Sequence, residues 1–133
     1  MPKHINVVAA VIIDNDKILS VQRGPNNQLP LKWEFPGGKI EAGETPEEAL
    51  RREIKEEMKC EIEVESQIEE TVYEYEFGTA HLSTYWCKVI EGAPMLTEHV
   101  DLRWLTLKEL SSLEWAPADL PTLRRIMDRV KIK

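Results

Sequence analysis

The sequence predicts an α+β fold in which helices pack on a twisted sheet. Runs of β-branched and apolar residues, typical of strands, are interspersed with segments of helical periodicity. The helical segments begin with residues that favour helix starts. The 133 residues, 42% of them hydrophobic and 31% charged, have an ordinary globular composition. We therefore expect a single domain over residues 1–133.

The first part of the chain holds the predicted central strand. Val7–Ile13 is β-branched and apolar, and a turn cluster at 14–16 returns the chain as a second strand at Lys17–Gln22. Residues 24–32 are polar and contain two prolines, which predicts a loop. A short extended piece follows at Trp33–Phe35.

The segment Thr45–Met58 is the clearest predicted helix. Thr45 suits the N-cap and Pro46 the first helical position, and Glu48 completes a capping box with Thr45. The rest of the chain predicts four strands, a helical turn and a final amphipathic helix, in the order Glu61–Glu65, Thr71–Phe77, Leu82–Ile90, Asp101–Leu105, Thr106–Leu113 and Leu120–Val130.

Composition excludes some classes of function. The net charge of −7 argues against the broad basic face that long nucleic acids require, although single nucleotides held through metal ions remain possible. No apolar run reaches membrane-spanning length, and residues 1–6 do not resemble a signal peptide. Cys60 and Cys87 do not form a ligand cluster and are expected to be reduced, partly buried thiols. We therefore expect a cytoplasmic protein without a membrane partner.

The predicted helix carries an unusual set of carboxylates. Glu53 and Glu57 are four residues apart and share a helix face, with Glu56 beside them. Such carboxylates repel one another unless a cation compensates them, and Mg²⁺ commonly bridges carboxylates to phosphates. The alternative is a solvated charged face, but that leaves the Gly37-Gly38 pair before the helix unexplained. The pattern favours a divalent-cation site.

The sequence from residue 38 to residue 60, GKIEAGETPEEALRREIKEEMKC, resembles the signature of the Nudix hydrolases, G-x5-E-x7-R-E-U-x-E-E-x-G-U, in which U is bulky and apolar. The matching positions are Gly38, Glu44, Arg52, Glu53, Ile54, Glu56, Glu57 and Cys60. Lys59 departs from the pattern, because the family usually has glycine there. The segments around Val7–Ile13, Gln22-Arg23 and residues 33–38 resemble the MutT-type branch, which includes CTP pyrophosphohydrolases and 8-oxo-dGTP diphosphatases.

The resemblance implies a fold and a reaction. The implied fold is an α/β/α sandwich with a mixed twisted sheet and the motif helix. The implied reaction is Mg²⁺-dependent hydrolysis of a nucleoside triphosphate to its monophosphate and pyrophosphate, in nucleotide-pool sanitation, with Mn²⁺ as a possible substitute. Two alternatives stay open: hydrolysis of another nucleoside diphosphate derivative, and a non-catalytic ligand-binding module. The chain is expected to be a monomer or a homodimer.

The resemblance also assigns roles to motif residues. It implies that Glu56 and Glu57 bind Mg²⁺, and that Glu53 is a metal ligand or the base that activates water. It gives Arg52 the role of orienting these carboxylates and Glu44 that of a structural partner. A carbonyl of Gly37 or Gly38 is expected to join the metal shell. Glu98 is a second candidate for the base, with a solvated loop acid as the alternative.

Three further kinds of residue are candidates for substrate binding. Arg23 can pair bidentately with phosphate oxygens, although a surface role is equally consistent with the sequence. Residues 115–121 resemble a stretch of the MutT-type branch that contacts the nucleobase, which implies this role for Asp119; the alternative is that Asp119 caps the final helix. An ionised Asp119 would accept from the cytosine amine and repel a guanine carbonyl, yet oxidised guanine offers donors too, so both bases remain open. The candidates for a stacking wall are Phe35, Tyr73, Tyr75, Leu82 and Trp115. We expect His99 to be a loop residue.

Overall fold

The computed structural model describes residues 3–131, and the side chains of residues 3–128. Within that range the chain forms seven strands, three α-helices and one 3-10 turn. The strands are β1 (His4–Asp14), β2 (Lys17–Gln22), β3 (Trp33–Glu34), β4 (Gly37–Lys39), β5 (Glu61–Tyr75), β6 (Gly78–Glu91) and β7 (Asp101–Leu105). The helices are α1 (Pro46–Met58), α2 (Leu107–Leu110) and α3 (Leu120–Lys131), with the 3-10 turn at Pro117–Asp119.

The strands form one mixed sheet with β1 at its centre. Its main order is β3-β2-β1-β6-β5, and β4 and β7 add pairs to β1 and β2. β1 runs parallel to β6, while its pairs with β2 and β4 are antiparallel. The mixed sheet confirms the fold class expected from the sequence.

Successive residues of β1 supply two different cores. Ala10 and Ile12 are buried in the cluster that contains Leu50 and Ile54 of α1. Val11, which points to the opposite face, is buried in the cluster that contains Ile126 of α3. The period of two in a strand therefore explains why β1 is apolar throughout. The result is the expected sandwich, with a helix on each side of the sheet.

The motif helix α1 begins and ends as its sequence predicts. Thr45 Oγ1 accepts from the Glu48 backbone N–H, and Glu48 Oε1 accepts from the Thr45 N–H, which completes the capping box. At the other end, Lys59 adopts the left-handed conformation, with φ 58° and ψ 34°. This is the conformation for which a glycine is usually favoured. The lysine therefore keeps the helix-ending geometry, although the family usually has glycine there.

The second half of the sheet differs from its predicted boundaries. The predicted strands Glu61–Glu65 and Thr71–Phe77 are parts of one long strand, β5, which pairs with β6 from residue 61 to residue 75. Register shifts between Val64 and Gln67, and again between Gln67 and Glu69, interrupt its alternation of polar and apolar residues. The predicted helical turn Thr106–Leu113 contains only one short helix, α2.

Two further sequence expectations concern the cysteines and the membrane. Cys60 and Cys87 are buried, free thiols. In the part of the chain that the structure describes, every helix is too short or too polar to span a bilayer.

Candidate functional site

A cavity of about 360 Å³ opens between the sheet, the C-terminal part of α1 and two loops. Its wall combines charged groups with a nearly continuous apolar surface. The charged and polar residues in the wall include Arg23, Glu34, Glu57, Glu98, His99 and Asp119, and the apolar ones include Ile5, Val7, Phe35, Tyr75, Phe77, Ala80 and Leu82. This size and this combination are typical of a site for a small polar ligand with one flat, apolar part.

Arg52 organises the carboxylates next to the cavity. Its Nε and Nη2 donate to the two oxygens of Glu44 at 2.6 and 2.9 Å, a bidentate pair. Its Nη1 donates to Glu53 Oε1 at 3.0 Å and to Glu56 Oε2 at 3.3 Å. Nη2 also donates to the Lys39 carbonyl, which ties α1 to β4. The hydrogen bonds from Arg52 lower the pKa of Glu44, so Glu44 is a stable ionised anchor for the arginine.

The two adjacent glycines allow close approaches that any side chain would prevent. A β-carbon on Gly37 would lie 1.9 Å from the Val8 carbonyl oxygen, because β4 pairs with β1 there. A β-carbon on Gly38 would lie 2.3 Å from the carboxyl group of Glu53. The backbone therefore excludes a side chain at Gly37, whereas a side chain at Gly38 would displace the carboxyl group of Glu53.

Glu57 is the carboxylate of α1 that faces the cavity. Among the atoms of residues 3–128, its Oε2 has no hydrogen-bond partner, although that atom is buried. Burial, together with the negative charges of Glu53, Glu98 and Glu34, raises the pKa of Glu57 to about 8. A buried carboxylate oxygen without a partner, surrounded by other carboxylates, is what a divalent cation with oxygen ligands would satisfy. The residues present therefore fit a cation at this point.

Glu56 lies apart from this group. Its side chain is 60% exposed, it pairs with Arg52, and it does not line the cavity. The side chains of residues 3–128 contain no set of three or more His, Cys, Asp or Glu residues already gathered as metal ligands. Arg52 explains part of this arrangement, because it engages carboxylate oxygens of both Glu53 and Glu56.

Arg23 contacts a neighbouring acid in the cavity wall. Its Nη1 donates to Glu34 Oε1 at 2.9 Å, and its Nε donates to the Gln28 carbonyl at 2.7 Å. The other oxygen of Glu34 is 2.9 Å from Nε2 of His99. Sequence reasoning did not single out Glu34, and it assigned His99 only to a loop. The available signal was a glutamate between two aromatic residues, Trp33 and Phe35, in the predicted extended piece.

Asp119 lies in the cavity wall but is almost fully buried, at 5% exposure. Its Oδ1 accepts weakly from the Phe35 backbone N–H at 3.4 Å. Burial, and secondly the charge of Glu34, raise the pKa of Asp119 well above its ordinary value. Burial therefore favours the neutral carboxyl of Asp119, which can both donate and accept, over the ionised, acceptor-only form expected from the sequence.

The predicted stacking residues divide into two layers. Phe35, Tyr75 and Leu82 line the cavity. Trp115 packs against Phe35 with ring centroids 4.7 Å apart, and Tyr73 against Tyr75 at 4.6 Å, so both support the wall from outside it. Sequence reasoning missed Phe77, which stacks on Tyr75 at 4.9 Å with the ring planes 7° apart. The Tyr75 hydroxyl accepts from the Ala118 N–H, which joins this wall to the turn that carries Asp119.

The mixed sheet between two helices, the glutamate-rich helix and the cavity beside it fit a hydrolase. The chain belongs to the Nudix family: the NUDIX domain model matches residues 2–126. It is therefore a pyrophosphohydrolase of MutT-like type.

Individual relatives agree with this assignment. The chain is 35% identical to the CTP pyrophosphohydrolase of Escherichia coli, over 94% of this chain and 93% of the relative. It is 34% identical to the 8-oxo-dGTP diphosphatase of the same organism, over 93% of this chain and 97% of the relative. A solution structure described as the DNA mismatch repair protein MutT of methicillin-resistant Staphylococcus aureus is 50% identical. That structure superposes with a TM-score of 0.80, covering 97% of this chain and 99% of the other.

Proposed function

We propose that this protein is a Mg²⁺-dependent pyrophosphohydrolase that converts a nucleoside triphosphate into its monophosphate and pyrophosphate. The observation that carries the proposal is the buried, unpartnered oxygen of Glu57 in the wall of a cavity that also has an aromatic surface. A triphosphate needs charge compensation at one part of its site and a flat apolar surface at another, and this cavity offers both. We place this activity in the cytoplasm, where it would remove unwanted nucleotides from the pool.

The cation would be held by Glu57 together with Glu53 and a backbone carbonyl of Gly37 or Gly38, and by Glu56 once its exposed carboxylate leaves Arg52. When bound, it would neutralise phosphate oxygens and so stabilise the charge of the displacement at phosphorus. Mn²⁺ has the same preference for oxygen ligands and is expected to substitute. Nothing in this arrangement requires a redox or nucleophilic cofactor.

The protein's own groups prepare the rest of the reaction. Arg52 fixes one oxygen of Glu53, and Gly38 lets that carboxylate lie against β4. Glu98 faces the cavity from the loop between β6 and β7, with an exposed side chain. Besides burial, the negative charges of Glu53 and Glu98 raise the pKa of Glu57. Either can accept a proton from the attacking water.

The nucleobase would lie against Phe35, Tyr75 and Phe77, with Asp119 at its edge. A protonated Asp119 can accept from the amine of cytosine and can also donate to a carbonyl, so it no longer repels guanine. The substrate class therefore comprises cytidine-type triphosphates, including modified ones, and 8-oxo-dGTP. The printed names of the two Escherichia coli relatives cover the same two possibilities.

The experiment that separates these substrates compares kcat/KM for dCTP, 5-hydroxy-dCTP, dGTP and 8-oxo-dGTP in the wild type and in Asp119→Ala, which removes both the donor and the acceptor. A hydrogen bond to a base is worth about 0.5–1.5 kcal/mol, or about 1.5–3 kcal/mol if a charge is involved. If Asp119 reads the base, the preference between cytosine and guanine substrates should change by roughly ten-fold. If all four values change by the same factor, Asp119 does not select the base.

A further inference from the structure

Loop 92–100 joins β6 to β7 and carries Glu98. The residues on either side of Glu98 form hydrogen bonds with residues of the cavity wall. Thr97 Oγ1 donates to the backbone carbonyl of Glu57. His99 Nε2 lies 2.9 Å from Glu34 Oε2, and the His99 side chain is only 12% exposed. Glu98 itself is exposed and faces the cavity. Glu98, which can act on substrate, thus lies between Thr97 and His99, and hydrogen bonds hold both of these neighbours in place.

The first anchor uses the end of the motif helix. The last carbonyls of an α-helix have no partner within the helix. Here loop 92–100 supplies two: Thr97 to the carbonyl of Glu57, and the Met95 N–H to the carbonyl of Met58 at 2.9 Å. These two hydrogen bonds fix the position of Glu98 relative to Glu57, whose carboxylate we assign to the cation.

The second anchor connects three segments of the cavity wall. Glu34 is shared by His99 and Arg23, one oxygen each at 2.9 Å. Arg23 in turn donates to the carbonyl of Gln28 in the loop 24–32. His99 thus joins loop 92–100 to strand β3 and, through Glu34 and Arg23, to loop 24–32.

Apolar packing contributes little to holding this loop. Its large hydrophobic side chains remain about half exposed: Met95 at 56%, Leu96 at 48% and Val100 at 48%. A segment with few buried apolar contacts opens locally at low cost unless polar contacts hold it. The hydrogen bonds of Thr97 and His99 therefore have a large influence on where Glu98 lies.

We propose that Thr97 and His99 are positioning residues that together hold Glu98 beside Glu57 in the cavity wall. This inference rests on the proposed function, because Glu98 has a task only when a substrate occupies the cavity. In this proposal His99 bonds to Glu34 and so holds loop 92–100 in place, and it does not contact the substrate. Loss of either anchor should lower kcat and leave KM nearly unchanged, since neither residue is assigned to substrate binding.

The test combines turnover with a direct measurement on the loop. Thr97→Val and His99→Leu remove the anchors; Thr97→Ser and His99→Gln retain a donor of similar position. His4→Leu is the matched control, because His4 is an exposed histidine outside the cavity wall. Hydrogen exchange is followed at the Met95 and Val100 amides, which donate to the carbonyls of Met58 and Gln22 at the two ends of the anchored part of the loop.

We expect His99→Leu and Thr97→Val to speed exchange at these two amides by roughly two- to ten-fold, the equivalent of one hydrogen bond. We expect kcat to fall by about ten-fold, and His99→Gln and Thr97→Ser to recover most of it. In a Glu98→Gln background, the same substitutions should cause no further loss of kcat, because residues that act as one unit are not additive.

Three results would overturn the inference: unchanged exchange at both amides, equal losses of kcat with and without Glu98, or no recovery in the conservative variants. Absence of turnover in the wild type with any nucleotide would instead contradict the proposed function. In that case the exchange rates alone decide whether Thr97 and His99 hold the loop. A structural role without catalytic consequence would lower the midpoint of thermal unfolding in every background and leave kcat at 25 °C intact.

Discussion

The carboxylate of Glu53 lies against the α-carbon of Gly38, so closely that a β-carbon there would be 2.3 Å from it. The same carboxylate is held from the other side by Arg52 at 3.0 Å, and Arg52 is itself held by both oxygens of Glu44. Three motif residues thus fix one carboxylate against the strand that precedes the helix. This relationship gives the spacing of the motif a physical meaning.

The two glycines should respond differently to alanine. Gly38→Ala pushes only the end of the Glu53 side chain away, so we expect kcat to fall by about 100-fold while the thermal midpoint changes little. Gly37→Ala brings a methyl group onto the Val8 carbonyl, which cannot move without the sheet, so that variant should lose stability first. Circular dichroism melts and steady-state kinetics check both. Equal loss of stability in the two variants would contradict this account of Gly38.

Glu57→Gln should weaken the response to the divalent cation. The substitution removes a negative charge and leaves the shape, and we expect the Mg²⁺ concentration for half-maximal rate to rise at least ten-fold. Glu47→Gln is the matched control on the same helix, because Glu47 is exposed and pairs with Arg51 away from the cavity. An unchanged metal titration in Glu57→Gln would exclude Glu57 as a ligand.

Asp119 should make the stability of the protein depend on pH. Its pKa is raised in the folded state, so the folded protein keeps a proton that the unfolded chain releases. The stability that Asp119 contributes is complete below its unfolded pKa of about 3.9 and is lost as the pH rises through the folded pKa. Asn does not titrate. We therefore expect Asp119→Asn to gain free energy of unfolding relative to the wild type as the pH rises from 4 to 8.

Urea unfolding of both proteins at several pH values measures this difference, which should grow by at most about 1.4 kcal/mol per pH unit. Comparison with Asn removes the contributions of the other carboxyl groups, because they are common to both proteins. A difference that stays constant between pH 4 and pH 8 would show that Asp119 is ionised in the folded state throughout this range.

The sequence predicted the features that depend on local spacing. The capping box of α1 lies within its first turn and the residue before it, and Arg52 and Glu56 are four residues apart on the same helix. Helical geometry alone places such residues together, so their spacing suffices. The central strand was predictable for a similar reason, since its apolar run reflects burial on both faces.

Features that depend on how strands pair were not predictable. Glu34 and His99 are 65 residues apart and meet only because loop 92–100 folds back over β3. Phe77 reaches the cavity from the turn between β5 and β6, beyond the last paired residue of β5, so strand alternation does not indicate where its ring lies. Asp119 was named as a candidate, but the raised pKa of its carboxyl was not predicted, because burial is a property of the whole fold.

Product analysis with and without a divalent cation tests the central claim most directly. Wild-type protein is incubated with dCTP and with 8-oxo-dGTP in Mg²⁺, and in Mg²⁺ with excess chelator, and nucleotides, pyrophosphate and orthophosphate are separated by ion-exchange chromatography. We predict equal amounts of monophosphate and pyrophosphate from at least one of them, and no reaction in chelator. Release of orthophosphate with a diphosphate product, or full turnover in excess chelator, would contradict the account.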